Sequence, residues 1–135
     1  MIIRQFYEKL GVFLAGLSKV DGVAYQREMD TLTREISEIL KEYPGFEENA
    51  DVQGLLLTKL CYFKKEKESL VVGKIADDFA SFISTHRRNI PELSANIALR
   101  LVHKLAASHK GVGKMEQRMI KKIENALMNE KRVHS

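Results

Sequence analysis

The sequence predicts an all-α fold, a compact bundle of about six helices arranged as two pseudo-symmetric halves built on helical hairpins. Three observations predict it. Apolar residues recur at intervals of three and four through most of the chain. Composition is rich in Leu, Ile, Lys, Glu and Ala with only two prolines and no Trp, which favours helices over a sheet of many short strands. Finally, LAGLSKVDGVAYQREMDTL is echoed 88 residues downstream by LAASHKGVGKMEQRMI, so that Leu17, Glu28 and Leu32 align with Leu105, Glu116 and Ile120. A chain of 135 residues with 44% hydrophobic content fits one domain over residues 1–135 with a core of ordinary size.

Taken in order, Ile3, Phe6, Leu10, Phe13, Leu14 and Leu17 predict a first helix over 2–18, after which Asp21-Gly22 turns the chain. A second helix over 26–41 places Met29, Leu32, Ile36, Ile39 and Leu40 inward and stops at Tyr43-Pro44-Gly45, completing a hairpin. Asp51 is the expected cap of a third helix running to Phe63; it is apolar on most sides and is therefore expected to be the central, most buried element. Ser69 is a candidate cap for a fourth helix, with Val72, Ile75, Ala76, Phe79, Phe82 and Ile83 inward and Asp77 and Asp78 outward. Pro91 opens a fifth helix with Leu93, Ile97, Leu101, Val102 and Leu105 inward. After the turn at Lys110-Gly111-Val112-Gly113, a sixth presents Met115, Met119, Ile120, Ile123 and Leu127, and the polar tail 129–135 is expected to fray.

Charge is uneven. Residues 1–58 hold 6 Lys/Arg against 10 Asp/Glu, whereas the rest of the chain holds 16 against 8, around a net charge of +4. Arg100, Lys104, Lys110, Lys114, Arg118, Lys121 and Lys122 include helical neighbours four apart and suggest an electropositive face. Nucleic acid is nevertheless not the expected partner, because no aromatic residue interleaves with these charges and a pair of helices alone is not a DNA-reading motif. No apolar run reaches the roughly 20 uncharged residues of a membrane span, so neither a signal peptide nor membrane insertion is expected, and the setting is read as cytoplasmic. The single cysteine, Cys61, is expected to be a small core side chain. No P-loop, dinucleotide fingerprint, nucleophile elbow or HExxH segment occurs, and the chain is expected to be non-enzymatic and to use no cofactor.

The residues with chemical potential lie at the two related turns. Lys19-Val20-Asp21-Gly22 followed by Glu28, with the second turn ending in Glu116, resembles the tellurite-resistance TerB-like family of small all-helical bacterial domains. That resemblance covers most of the chain, and it implies clustered acidic residues from both turns, a divalent cation held among them, and membership in stress-response or membrane-associated assemblies. The departures matter. Lys19 stands at the first acidic position of the family's D-x-D-G turn, while His109 aligns with Asp21 and Lys110 with Gly22, so negative charge is removed from the implied site.

Asp21, Glu28, His109 and Glu116 are therefore the candidate metal ligands of a degenerate site, and His109 facing Asp21 is a candidate ion pair in place of a metal. The simpler reading of Glu28 and Glu116 is that each sits in a first helical turn and satisfies backbone N–H groups there. Spacing also rules out an EF-hand, because Leu17 and Lys19 fall where oxygen ligands belong. His86 and His103 have no partner at a recognised metal spacing and are expected to be surface or boundary residues. The leading functional expectation is a non-enzymatic macromolecular-interaction module of TerB-like type with a protein as the expected partner, and the apolar first helix makes a homodimer plausible. A divalent-cation sensor in a stress response is the alternative, followed by nucleic-acid binding.

Overall fold

The computed structural model describes residues 2–21, 25–42, 50–66, 72–107 and 113–133. Among the described residues there are six α-helices and no strand: α1 (Ile2–Asp21), α2 (Tyr25–Glu42), α3 (Ala50–Glu66), α4 (Val72–His86), α5 (Glu92–Ala107) and α6 (Lys114–Val133), with a single 3₁₀ turn, Arg87–Asn89, between α4 and α5. The predicted turns around Gly22, Tyr43-Pro44-Gly45 and Gly111, and the predicted cap Ser69, lie outside the described residues.

The centre of the molecule is α1, not α3. Phe6, Tyr7, Leu10, Phe13, Leu14, Ala15 and Leu17 are all fully buried, because α1 packs on α3 along one side, on α4 along another, and touches α5 and α6 as well. Phe79 of α4 inserts between Phe6 and Phe13, with ring centroids 5.7 and 5.5 Å away. Each such ring withdrawn from water contributes about 1.5–3 kcal/mol, and tilted ring contacts of this separation add to it. α4 also packs on α6, and α2 packs on α5.

The seam between α1 and α3 explains why α3 is not central despite being apolar nearly all round. Thr58 Oγ1 donates to the carbonyl of Tyr7 on α1 at 2.8 Å, and a side chain at Gly11 would collide with the Thr58 carbonyl and with Cys61. Gly54 is covered by the Tyr7 ring in the same way. Small residues and hydroxyls on the Gly54, Leu55, Thr58, Tyr62 face let the two backbones approach closely. The leucines at Leu56 and Leu60, with Phe63, are thereby turned to solvent, 57%, 50% and 45% exposed. Cys61 is half-buried at the edge of this seam and is not a core side chain.

Several boundaries differ from the periodicity-based reading. α1 continues three residues past Ser18 to Asp21, Asp51 lies inside α3 and not before it, and α6 continues to Val133 through the segment expected to fray. Met115 is half exposed although the spacing placed it inward. Glu116, Met119, Ile120, Ile123 and Leu127 share a face at i, i+3, i+4, i+7 and i+11, and Met115 falls just beyond its edge. The buried face therefore begins with a carboxylate.

The internal echo extends to burial. Phe6, Tyr7, Leu10, Phe13, Leu14, Leu17 and Ser18 of α1 are buried, and so are the positions 88 residues on, Ser94, Ala95, Ala98, Leu101, Val102, Leu105 and Ala106 of α5. Glu28, Thr31, Leu32, Glu35 and Ile39 of α2 correspond in the same way to buried Glu116, Met119, Ile120, Ile123 and Leu127 of α6.

The seam makes a paired prediction for urea denaturation. Gly54→Ala forces a methyl group into the Tyr7 ring and lowers stability by about 1–3 kcal/mol. Gly73→Ala, an exposed helical position with nothing within 4 Å of the new methyl, raises stability by about 0.4–1 kcal/mol. Equal effects at the two positions contradict a tight α1–α3 seam.

Candidate functional site

Glu28 and Glu116 occupy the first turns of α2 and α6, as expected for residues that favour the positive end of a helix. Both are also 0% exposed, which simple capping at a surface does not require. Gly113 stands at the N-terminus of α6, its carbonyl accepting the Gln117 N–H at 3.0 Å, so Glu116 is the third residue of that helix.

Around Glu28 the structure builds a polar relay across three helices. The Tyr62 hydroxyl of α3 donates to Glu28 Oε2 at 3.2 Å and lies 2.9 Å from Ser18 Oγ of α1. Since the tyrosine has one proton and gives it to the carboxylate, the serine hydroxyl must donate to the tyrosine oxygen. Its longer contact with the Leu14 carbonyl, 3.3 Å, is then the weaker of its two alternatives. A buried carboxylate needs such donors to offset its lost hydration.

Asp21 closes α1, but its side chain, like the whole of His109, lies outside the described residues. Of the four sequence-predicted ligands, the structure therefore places Glu28 and Glu116 in the protein interior and gives no geometry for the Asp21–His109 pair. Among the described residues no group of three or more His, Cys, Asp or Glu side chains is arranged to hold a metal ion. His103 is exposed, with Nε2 3.8 Å from Glu124 Oε2, and His86 meets the Phe82 ring at a tilt of 50°, 4.7 Å between centroids.

The expected electropositive face is divided. Arg100 leaves it altogether and reaches across to α2, where its guanidinium contacts Glu42 at 2.6 and 3.1 Å, Glu35 at 3.2 Å and Glu38 at 3.7 Å. Hydrogen bonding to Glu42 raises the Arg100 pKa further above its ordinary value, and the Arg100 bond in turn lowers that of Glu42. Lys122 pairs with Asp77 of α4. Lys104, Lys114, Arg118 and Lys121 remain exposed, and Lys110 lies outside the described residues.

Sequence reasoning missed Ser18, Thr58 and Tyr62. Their signal was present in the spacing Gly54, Thr58, Tyr62, a small or hydroxyl-bearing residue every fourth position on an otherwise apolar helix. The Arg100 clamp had no local signal, because its partners are 58 to 65 residues away.

Together these features define an all-α protein with a buried glutamate in the first turn of both α2 and α6, 88 residues apart. Comparison of the chain with protein-family models, with characterised proteins and with solved structures found no match. No helix among the described residues is long and apolar enough to cross a membrane.

Two measurements check the polar contacts. Tyr62→Phe removes the hydroxyl shared by Ser18 and Glu28 and lowers unfolding free energy in urea by about 1–3 kcal/mol; an unchanged midpoint shows that the relay does not form. For the clamp, the folded-state pKa of Glu42 lies below its unfolded value. Its contribution is therefore present above the ordinary carboxylate range and lost as pH falls through the lowered folded value. A thermal-stability profile of Arg100→Gln is correspondingly flatter than that of the parent between about pH 5 and pH 3, the ordinary carboxylate range; parallel profiles exclude the clamp as a source of acid sensitivity.

Proposed function

We propose that the chain is a non-enzymatic, TerB-like helical module that works by binding another protein. The observation that carries this reading is the stripe formed by Leu56, Leu60 and Phe63 on α3, whose positions at i, i+4 and i+7 put three large apolar side chains in a row on the solvent side of one helix. Single exposed apolar residues are ordinary, but a contiguous row on a folded helix is the usual form of a helix-recognition surface. The TerB-like part of the reading is supported by the 88-residue repeat of burial and by the matching glutamates in the first turns of α2 and α6.

Cation sensing draws less support, since Glu28 already accepts the Tyr62 hydroxyl within the packing of α1, α2 and α3. Nucleic-acid binding through the last two helices draws less as well, since Arg100 is committed to glutamates of α2.

The test is photo-crosslinking in living cells of the source organism, with a photoreactive residue in place of Leu60 and, as a control, in place of exposed Thr85 on α4. A discrete protein adduct from position 60 that is missing from position 85 is the expected result. No adduct, or an adduct with nucleic acid, overturns the reading.

A further inference from the structure

The face of α3 that carries Leu56, Leu60 and Phe63 is also its cationic face. Between Asp51 and Glu66, near its two ends, the helix has no carboxylate and three lysines, Lys59, Lys64 and Lys65. Lys59 stands one turn from both Leu56 and Phe63 on one side of the row, and Lys64 stands one turn from Leu60 on the other. Lys59 is half-buried and Lys64 exposed. Among the described residues neither is engaged by a carboxylate, whereas Arg87, Arg100 and Lys122 each are. The row itself runs for about 10 Å, or two turns, opposite the Gly54 and Thr58 side that meets α1.

We infer that the occupant of this row is a short amphipathic helix of another protein, laid along α3, whose apolar face is edged on both sides by aspartate or glutamate. The inference rests on the reading of the row as a docking surface and specifies what docks there. Apolar side chains one turn apart on the partner pack between Leu56, Leu60 and Phe63 and remove them from water. The lysine stems extend that apolar contact while their ammonium groups stand at its two edges, within reach of carboxylates on the partner. Exposed pairs of this kind add little affinity, but they select: a helix edged by lysine or arginine meets like charge on both sides. A second copy of this chain is disfavoured on the same ground. A twofold, antiparallel pairing that lays Leu56 on Phe63 of the second copy brings Lys59 beside the second copy's Lys59.

The test is an amide NMR titration of the whole protein with two alanine-rich peptides of about 18 residues, long enough to form a helix. Both carry leucines at i, i+4 and i+7, and they differ only in bearing Glu or Lys at the positions that edge this row. Saturable shifts over 53–64 are expected with the Glu peptide, and binding about tenfold weaker with the Lys peptide. Combining Lys59→Glu with Lys64→Glu reverses the preference, combining Lys59→Arg with Lys64→Arg keeps it, and Leu60→Asp abolishes binding of both peptides. Comparison of the two peptides on the parent protein decides the matter even if a variant does not fold. The inference is overturned by equal binding of the two peptides, by no shifts over 53–64 with either, by the same shifts when the protein alone is concentrated, or by the same shifts with vesicles of phosphatidylserine and phosphatidylcholine in place of peptide. The photo-crosslink at position 60 separates the two possible failures. A protein adduct beside peptides that bind equally or not at all removes the acidic occupant and keeps the docking surface, whereas a missing adduct removes the surface and the occupant with it.

Discussion

The close approach of α1 and α3 is the constraint on which the remaining structure depends. Gly11 and Gly54 remove side chains where the helices meet, and Thr58 fastens the seam by donating to the Tyr7 carbonyl across it. With α3 held there, Tyr62 is delivered to Ser18 and Glu28, and the buried carboxylate gains a donor it would otherwise lack on that side. The same placement sends Leu56, Leu60 and Phe63 outward. A single packing choice thus produces both the interior polar relay and the exposed apolar stripe, so neither can be altered through α3's orientation without disturbing the other.

The second tie between distant parts of the chain is electrostatic. Arg100 on α5 gathers Glu35, Glu38 and Glu42 of α2, and Glu35 is nearly buried where they meet. Pairs at the exposed end of such a cluster contribute little, whereas Glu35 would be left desolvated without its guanidinium. The clamp joins one cation of the more basic remainder of the chain to three carboxylates of its acidic first part.

The helices were legible in the sequence because their apolar spacing was regular, and the register between the halves was legible because Leu17, Glu28 and Leu32 repeat as Leu105, Glu116 and Ile120. The role of α3 was not. Periodicity measures how apolar a helix is, and it cannot say which apolar face wins the core when another face bears glycine and threonine suited to tight contact. The same limitation hid Met115, whose hydrophobicity argued for burial while the geometry of α6 gave that place to Glu116. Glu28 and Glu116 were singled out correctly as first-turn residues, but their complete burial depends on tertiary packing that no local pattern records.

The position of Cys61 gives the chain a built-in reporter. Its β-carbon is among the atoms nearest to Gly11 at the meeting of the two helices, and it is the only cysteine in the sequence. Reagents that modify sulfur reach a half-covered thiol faster when the covering helix moves away, so the speed of its alkylation registers how often α1 and α3 part. The protein therefore carries, without any engineered label, a chemical clock for the opening of its own central joint.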